Sequence, residues 1–368
     1  MTTDSTHPAP EQGILQTLQS DVRRGDFWST LSRDMRELRE FFLDEERKKR
    51  LATMSTFGRA IWTAWWMLKG MILRLTPARR ILLVVGVILV LAERSVTVEG
   101  SSTVTAHYGV LGGLLLVFVL MLELKDKILA RDELEAGRRV QHAFMPPRAP
   151  QVPGWALWLY TRPANEVGGD LVDFVSVHDE RRMIILADVA GKGLKAALLM
   201  ANLQATMRAL APDYASLAYL VGKVNEIFRR NTLPNVFASL LAVEFSTPTG
   251  EVHYVNAGHF PPLLLRPEGI EQTPKGEAAL GLMPGSVYSD QTVKLRPGEA
   301  FLGYSDGLTE ARNGSGEFYG SERLLQLLAT NRNRNAEEIG EAIIADVARF
   351  VGDANANDDV SIIILRRV

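Results

Sequence analysis

The stretch IILADVAGKG, residues 184–193, places Asp188 at the end of an apolar run and follows it with a glycine-rich turn. The run predicts a buried strand, and apolar residues at helical spacing predict a helix from about 193 to 210. An aspartate beside glycine at a strand end is most often a turn residue that accepts backbone hydrogen bonds. This motif alone therefore does not assign a function.

Three other motifs repeat the same arrangement of a carboxylate near a strand end. They are EVGGDLVDF at 166–174, LGYSDGLTEA at 302–311 and NDDVSIIIL at 357–365. Their carboxylates are Asp170 and Asp173, Asp306, and Asp358 and Asp359. Gathered carboxylates repel one another and need cations, and oxygen ligands without His or Cys select Mg or Mn. Two such ions lower the pKa of a water held between them and direct it at phosphorus.

The composition excludes several classes of protein and of catalytic site. The chain has 368 residues, more than one ordinary domain needs. Its net charge of −2 argues against nucleic acid as a partner. The lack of cysteine excludes a disulfide framework, a thiol nucleophile and a Cys-ligated zinc site.

The C-terminal part, 148–368, alternates short β-like runs with Gly, Pro and Asn turns, interrupted by three helical patterns. This predicts an α+β domain in which helices flank an antiparallel β-sandwich. The stretch NAGHFPPLLLRPEG, residues 256–269, is interpreted as a turn between neighbouring strands.

The N-terminal part is expected to be helical and membrane-associated. Residues 1–57 are predicted to form a cytoplasmic helical region, with an amphipathic helix from Phe27 to Phe42. Residues 58–122 are predicted to form an interfacial helix and a two-helix transmembrane hairpin built on the apolar runs 81–92 and 104–122. A pair of buried core helices is the alternative.

Charge sets the expected orientation of the hairpin. Five Lys or Arg residues precede it in 58–80 and five follow it in 123–139, whereas 93–103 contains one. Positive flanks stay on the cytoplasmic side. We therefore expect a multi-pass protein of the inner membrane with both termini and the C-terminal domain in the cytoplasm.

Residues 123–147 are predicted to form a linker or signalling helix. Apolar residues recur every seven positions there, which favours a contact between two copies and hence a homodimer. The repeat consists of Leu122, Leu129, Ala136 and Ala143. Pro146 and Pro147 are expected to end the helix.

Six blocks in this order closely resemble the bacterial PPM-type serine/threonine phosphatases of the SpoIIE/RsbU-like class. They are GGDLVDF, DVAGKG, NAGHFPPLLL, YSDGLTEARN, EFYGSERL and NDDVSIIIL, and the resemblance runs from about Glu135 to Val368. It implies a PPM-type two-sheet β-sandwich flanked by helices, with two divalent metal ions, Mn or Mg, at one end of the sheets. The implied reaction is direct attack of metal-activated water on a phosphoserine or phosphothreonine, and the implied substrate is a phosphorylated anti-sigma-factor antagonist or a similar signalling protein.

The resemblance also implies roles for individual residues. The implied metal ligands are Asp170, Asp188, Asp306, Asp358 and the backbone carbonyl of Val189. The candidate catalytic residues are Asp170, Asp188 and Lys192. Asp173 and Asp359 are weaker candidates for metal ligands, acting through water.

One departure from the family pattern leaves alternatives open. Lys192 stands where many relatives of the wider family have His, so it either neutralises phosphate at the start of a helix or is an exposed turn lysine. Arg162 is interpreted as a surface residue in preference to a phosphate ligand, and His259 as a turn residue in preference to an acid. The departure also motivates an alternative function, a catalytically weak PPM-fold module that binds and regulates a partner protein.

Overall fold

The computed structural model describes four residues near the N-terminus and nearly all of the chain from Glu45 onward. The four are Met35, Leu38, Arg39 and Leu43, and the gaps after Glu45 are 93–94, 99–101, 106–107, 178–180, 247–248 and 355. Most of the amphipathic helix predicted at Phe27–Phe42 lies outside the described residues. The chain divides into two compact units, Met1–Lys127 and Ile128–Val368.

The described secondary structure consists of helices in the first unit and mixed helices and strands in the second. The helices are α1 (Glu45–Ala52), α2 (Thr56–Arg74), α3 (Pro77–Leu91), α4 (Tyr108–Ala143), α5 (Leu194–Leu210), α6 (Leu217–Asn231), α7 (Asp306–Thr309), α8 (Gly320–Asn331) and α9 (Ala336–Val351). The strands are β1 (Ser95–Val98), β2 (Ser102–Thr105), β3 (Trp155–Arg162), β4 (Asp170–Ser176), β5 (Arg181–Val189), β6 (Ala238–Ser246), β7 (Glu251–Ala257), β8 (Leu263–Arg266), β9 (Gly269–Gln272), β10 (Gln291–Lys294), β11 (Ala300–Tyr304) and β12 (Val360–Arg367).

Helix α4 is the only helix among the described residues that is long and apolar enough to cross a membrane. It has 36 residues, and its most apolar window has a mean hydropathy of 1.9 and is only 11% buried. Helix α3 has 15 residues, fewer than the ~20 that a span usually needs. The strands β1 and β2 pair between the two helices, where the sequence led us to expect a loop.

Helices α3 and α4 meet at two glycines. A Cβ placed on Gly112 would lie 2.7 Å from the carbonyl oxygen of Gly86, so no other residue fits at this crossing without a shift. A Cβ on Gly86 would lie 2.9 Å from Cδ2 of Leu116. Close approach through small residues is the usual way in which helices pack within a membrane.

The second unit is the predicted sandwich of two antiparallel sheets. One sheet has the order β10-β7-β6-β5-β4 and the other β3-β12-β11-β8-β9. Helices α5 and α6 cover the first sheet, and α8 and α9 cover the second. Both sheets are therefore buried on two faces, and the α+β fold class predicted from the sequence is confirmed.

Strand β5 shows why its sequence is an unbroken apolar run. Ile184 and Leu186 pack between the sheets, whereas Ile185 and Ala187 pack towards the covering helices. Successive side chains of a strand point to opposite faces, so burial of both faces removes the polar positions that would otherwise alternate.

Candidate functional site

The first sheet brings two of the predicted ligands side by side. Asp170 begins β4 and is directly opposite Asp188 near the end of β5. The side chains two and four positions from Asp170, Val172 and Phe174, pack between the sheets. The two-residue period of a strand therefore directs Asp170 into the same space, at one end of the sandwich.

The second sheet contributes the other two predicted ligands. Asp306 follows β11 and opens the short helix α7, and Asp358 lies two residues before β12. Gly307 lies directly against the carbonyl group of Asp359, where any side chain would clash. The two motifs are thus packed backbone to backbone at the same end of the sandwich.

Burial and mutual repulsion shift the pKa values of these carboxyls. Burial, and then the charge of Asp188, raise the pKa of Asp170 well above its usual range. Burial, and then the charges of Asp306 and Asp358, raise the pKa of Asp188 to about 7. Burial and the charge of Asp358 raise the pKa of Asp306 as well. Carboxyls from both sheets therefore lie close enough to interact strongly.

The donor set fits hard divalent cations. One carboxylate oxygen of Asp170, Oδ2, is buried and has no hydrogen-bond partner among the described residues. The predicted side-chain ligands are all oxygen donors, which suits Mn and Mg. Within the described part of the chain, however, no group of three or more His, Asp or Glu side chains is already arranged to hold an ion. The carboxylates share one region without forming a closed cage.

Lys192 lies at this site and neutralises one of its carboxylates. Its Nζ is 2.9 Å from Oδ2 of Asp358 and donates to the carbonyl oxygen of Asn357. The lysine immediately precedes Gly193, the N-cap residue of α5. The Lys192 side chain is 56% exposed, so it is an exposed turn residue that also contacts Asp358. Its neutralisation of phosphate stays a prediction.

The backbone at Val189 faces the same region. A Cβ on Gly169 would lie 3.0 Å from the carbonyl oxygen of Val189. That carbonyl group therefore lies beside the residue that precedes Asp170, and its role as a backbone ligand stays a prediction. The buried Val189 side chain points the other way, into the core under α5 and α6.

Asp173 does not lie with the cluster, in contrast to its expected secondary role. It is three residues from Asp170 on the same strand, so its side chain points to the opposite face of the sheet. There it is fully buried, and its two carboxylate oxygens accept from Arg208 of α5 at 2.7 Å each. The structure assigns Asp173 to packing of the helix on the sheet.

Asp359 has a positioning role in place of the secondary ligand role. Its carboxylate accepts from the backbone N–H groups of Ala164 at 2.7 Å, Gly169 at 2.7 Å and Asp170 at 3.3 Å. These bonds tie the loop before β4 to the second sheet. Asp359 therefore fixes where Asp170 begins its strand.

His259 is a structural residue, as the sequence interpretation preferred. Its Nδ1 is 2.8 Å from Oγ of Ser239, the residue opposite Asp188 on β6, and its backbone N–H donates to Oδ1 of Asn256. Burial lowers the pKa of His259 to about 4, so the ring is neutral near pH 7 and holds no extra proton to give. Arg162, at the exposed end of β3, borders a cavity that includes Asp358.

The sequence analysis missed Gln141 near the end of α4. This buried side chain donates through Nε2 to the carbonyl oxygen of Gly168 at 2.9 Å and accepts through Oε1 from the N–H of Gly168 at 3.2 Å. Gly168 lies two residues before Asp170. No pattern in the sequence distinguishes Gln141 from its polar neighbours, because its partner is 27 residues away.

Comparisons with known proteins found related sequences. The chain is 29% identical to Protein IcfG of Synechocystis sp. over 273 residues, which cover 67% of this chain and 43% of IcfG. It is 25% identical to the phosphoserine phosphatase RsbU of Bacillus subtilis over 240 residues, covering 64% of this chain and 70% of RsbU. The chain thus spans less than half the length of IcfG.

Solved structures show the same fold. The SiaA-PP2C domain of Pseudomonas aeruginosa superposes with a TM-score of 0.58 at 21% identity, covering 66% of this chain and 98% of that domain. The RsbU and RsbW domains of a Mycobacterium tuberculosis protein superpose with a TM-score of 0.53 at 26% identity, covering 59% of this chain and 61% of that one.

The family model for stage II sporulation protein E (SpoIIE) matches residues 178–368, just over half of the chain. This range contains three of the four aspartates that border the site, and Asp170 precedes it. With its PP2C-like sandwich and its strand-end aspartates, the chain belongs to the SpoIIE family of PPM-type phosphatases.

Proposed function

We propose that this protein is a metal-dependent phosphoserine and phosphothreonine protein phosphatase. The single observation that carries the proposal is the convergence of Asp170, Asp188, Asp306 and Asp358 from two sheets on one end of the sandwich. The raised pKa values of Asp170, Asp188 and Asp306 indicate a concentration of negative charge that needs cations. Membership of the SpoIIE family and the similarity to RsbU support the reaction class.

The residues fit two divalent ions, Mn or Mg. Asp170, Asp188, Asp306, Asp358 and the carbonyl oxygen of Val189 would hold them. When bound, the ions supply charge neutralisation, activation of a water and polarisation of the phosphoryl group.

The other residues of the site position these groups. Asp359 holds the backbone in front of Asp170, and the nearby polar side chains of Ser361 and Ser305 counteract part of the rise in the pKa of Asp170. Lys192, at the start of α5, would move from Asp358 to the phosphate, since both are anionic oxygens within reach of a flexible side chain.

The decisive test is Mn-dependent release of phosphate from p-nitrophenyl phosphate and from a phosphoserine peptide. Asp188→Asn and Asp306→Asn should each lower kcat by at least two orders of magnitude, a loss typical of removing a group that stabilises charge in the transition state. His253→Gln, at a half-buried position of β7 outside the site, serves as the control and should leave kcat unchanged. Equal turnover in the wild type and both Asn variants would refute the proposal.

The pairing of Lys192 with Asp358 favours one other candidate, a catalytically weak module that binds a partner. In that case the lysine would permanently replace a metal ion at Asp358. Titration calorimetry separates the two: millimolar Mn or Mg that produces no binding heat would support the module and exclude the phosphatase.

The biological setting that we infer is bacterial signalling at a membrane. The substrate would be a phosphorylated protein of the anti-sigma-factor-antagonist type, as the similarity to RsbU suggests. Helix α4 would anchor the chain in the inner membrane, with α3 as the second arm of a hairpin and the catalytic domain, 148–368, in the cytoplasm. The exposed apolar side chains of α3 and α4 support the anchor.

We also propose a homodimer that forms along the linker helix, residues 123–147. Leu129, Val140 and Phe144 expose large apolar side chains, each close to half accessible. Leu129 belongs to the seven-residue repeat and the other two lie beside it, so a second copy packed along this repeat would cover all three. Sedimentation of the detergent-solubilised chain tests this, and a monomer at micromolar concentration would contradict it.

A further inference from the structure

A cavity of about 350 Å³ opens beside the carboxylate cluster and has no role in the proposed chemistry. Asp358 forms part of its wall, together with Arg162 and Arg312. Aliphatic side chains of α9, including Val347 and Val351, line another part. Its volume is at the small end of the range for ligand pockets, enough for one amino-acid side chain of a larger partner.

The charged residues that line the cavity favour binding of an anion. Asp358 is the only carboxylate among the described lining residues, and Lys192 already neutralises it. The guanidinium group of Arg162 makes no ion pair within the described part of the chain. Arg312 stacks over the ring of Phe318 at 4.4 Å, which holds the guanidinium group in place and leaves its in-plane N–H donors available.

The cavity lies where a neighbour of the phosphorylated residue in a protein substrate would reach it. A phosphorylated residue bound at the carboxylate cluster would lie next to Asp358, which the cavity and the cluster share. An extended chain advances about 3.3–3.6 Å per residue, so a residue one or two positions away reaches the cavity.

We propose that this cavity is a specificity pocket for an acidic side chain, Asp or Glu, that neighbours the phosphorylated residue in a protein substrate. This inference rests on the proposed phosphatase function and deepens it. Arg312 recognises the carboxylate, since a planar guanidinium group donates two parallel hydrogen bonds to it. Val347 and Val351 contact the methylene groups of the same side chain.

The test compares phosphoserine peptides that differ only in having Glu, Gln or Lys at the positions flanking the phosphoserine. For the wild type with Mn, kcat/KM should be about ten-fold higher for Glu than for Gln, as expected for one charge-assisted contact. Arg312→Gln should abolish most of this preference through KM, and Arg312→Lys should retain part of it. Hydrolysis of p-nitrophenyl phosphate should be unchanged in both variants, because this substrate has no flanking residue.

Arg334→Gln is the matched control. Arg334 is an exposed arginine just before α9, whereas the cavity lies at the other end of that 16-residue helix, about 24 Å away. It should keep the full preference for Glu. A second variant, Ala348→Phe, fills the cavity from an exposed position on α9 and should raise KM for the Glu peptide without affecting p-nitrophenyl phosphate.

Three results would overturn the proposal. The first is equal kcat/KM for the three peptides. The second is a loss of the preference for the Glu peptide in Arg334→Gln as large as the loss in Arg312→Gln. The third is an Arg312→Gln variant that differs from the wild type only in its inhibition by inorganic phosphate. If the wild type hydrolyses neither p-nitrophenyl phosphate nor the peptides, the proposed phosphatase function is wrong. Equilibrium binding of the Glu and Gln peptides then tests whether the pocket binds an acidic side chain. A preference for the Glu peptide that depends on Arg312 supports it, and equal binding contradicts it.

Discussion

Asp188 is half-buried beside other carboxylates of the site. Burial, and then the charges of Asp306 and Asp358, raise its pKa to about 7. In the unfolded chain an aspartate titrates near 3.8. Between these two values the folded protein binds a proton that the unfolded chain does not, so this group destabilises the fold as the pH rises.

The metal-free protein should therefore lose stability as the pH rises from about 4 to about 7. Between pH 5.5 and 7.5 the free energy of unfolding is expected to fall by about 2 kcal/mol through Asp188 alone. Urea unfolding in the presence of EDTA at several pH values measures this. Asp188→Asn, which cannot ionise, should show a flatter profile and greater stability at pH 7.5; identical slopes in the two proteins would contradict the assignment.

The role of Asp173 in packing gives a second prediction at this scale. Asp173→Asn removes the charge that Arg208 binds, and it should lower the free energy of unfolding by about 1–2 kcal/mol, since Arg208 remains partly solvated. Its Mn affinity, measured by calorimetry, should equal that of the wild type. Asp170→Asn provides the contrast, with weakened Mn binding. Weaker Mn binding in Asp173→Asn would contradict the packing role and show that Asp173 contributes to the metal site.

Residue-level prediction from the sequence worked where the local pattern determines backbone position. The motifs placed Asp170, Asp188, Asp306 and Asp358 beside strand ends, where the structure has them, whereas their role as metal ligands stays a prediction. The sequence did not separate Asp170 from Asp173, although strand periodicity alone directs them to opposite faces. The three backbone N–H groups that donate to the Asp359 carboxylate belong to residues about 190 positions away, so no local sequence pattern predicts these bonds.

At the scale of elements, the C-terminal end of α4 is fastened to the loop that precedes Asp170. Gln141 bonds to both backbone groups of Gly168. The carbonyl group of Phe144 accepts from Nε2 of Gln204 on α5 at 3.1 Å. Helix α4 is therefore joined both to the strand that carries Asp170 and to the helix that follows Lys192.

Gln141→Leu should impair both stability and catalysis. It leaves the buried N–H and C=O groups of Gly168 without partners, each worth about 1–3 kcal/mol, and we expect a total loss of about 2–4 kcal/mol. Because Gly168 positions Asp170, kcat should fall more than KM changes. His142→Gln, at the exposed neighbouring position, is the control for both measurements. Wild-type kcat in a folded Gln141→Leu protein would show that the helix does not position the site.

Elements buried on both faces were the easiest to predict, because β5, β6 and β12 each appear as continuous apolar runs. Helix α8 was missed. It has 12 residues and buries few of them, so its pattern covers little more than two turns. The pair β1 and β2 was also missed, since four-residue strands of alternating Val, Ser and Thr resemble a polar loop.

At the scale of the whole molecule, the two units present different surfaces to their surroundings. The first exposes apolar residues along α3 and α4, such as Ile81 at 64%, Leu91 at 78% and Leu114 at 64%. The second buries large apolar clusters between and beneath its sheets, and its exposed apolar residues, such as Leu282 and Val287, lie outside those clusters. Contiguous exposed apolar surface of this kind marks contact with a membrane or a partner.

The full chain should accordingly fractionate with membranes and resist extraction by alkaline carbonate, while detergent releases it. A fragment that begins at Ile128, the first residue of the second unit, should remain in the soluble fraction. Replacing Leu114 and Phe118 with Asp in the full chain should shift it towards the soluble fraction, since charges near the middle of a span oppose insertion. A full chain that is soluble without detergent would refute the membrane anchor.

The glycine crossing of α3 and α4 restricts how this pair can transmit a signal. Because Gly86 and Gly112 touch backbone to backbone, sliding one helix by a residue along the other would bring Val85, Val87 or Leu111 into a space that holds no side chain. Translation of one helix along the other is therefore sterically blocked at this point. A change in the crossing angle at the glycines is not blocked, so a stimulus that reaches α4 would be transmitted as a change in tilt or rotation of the helix.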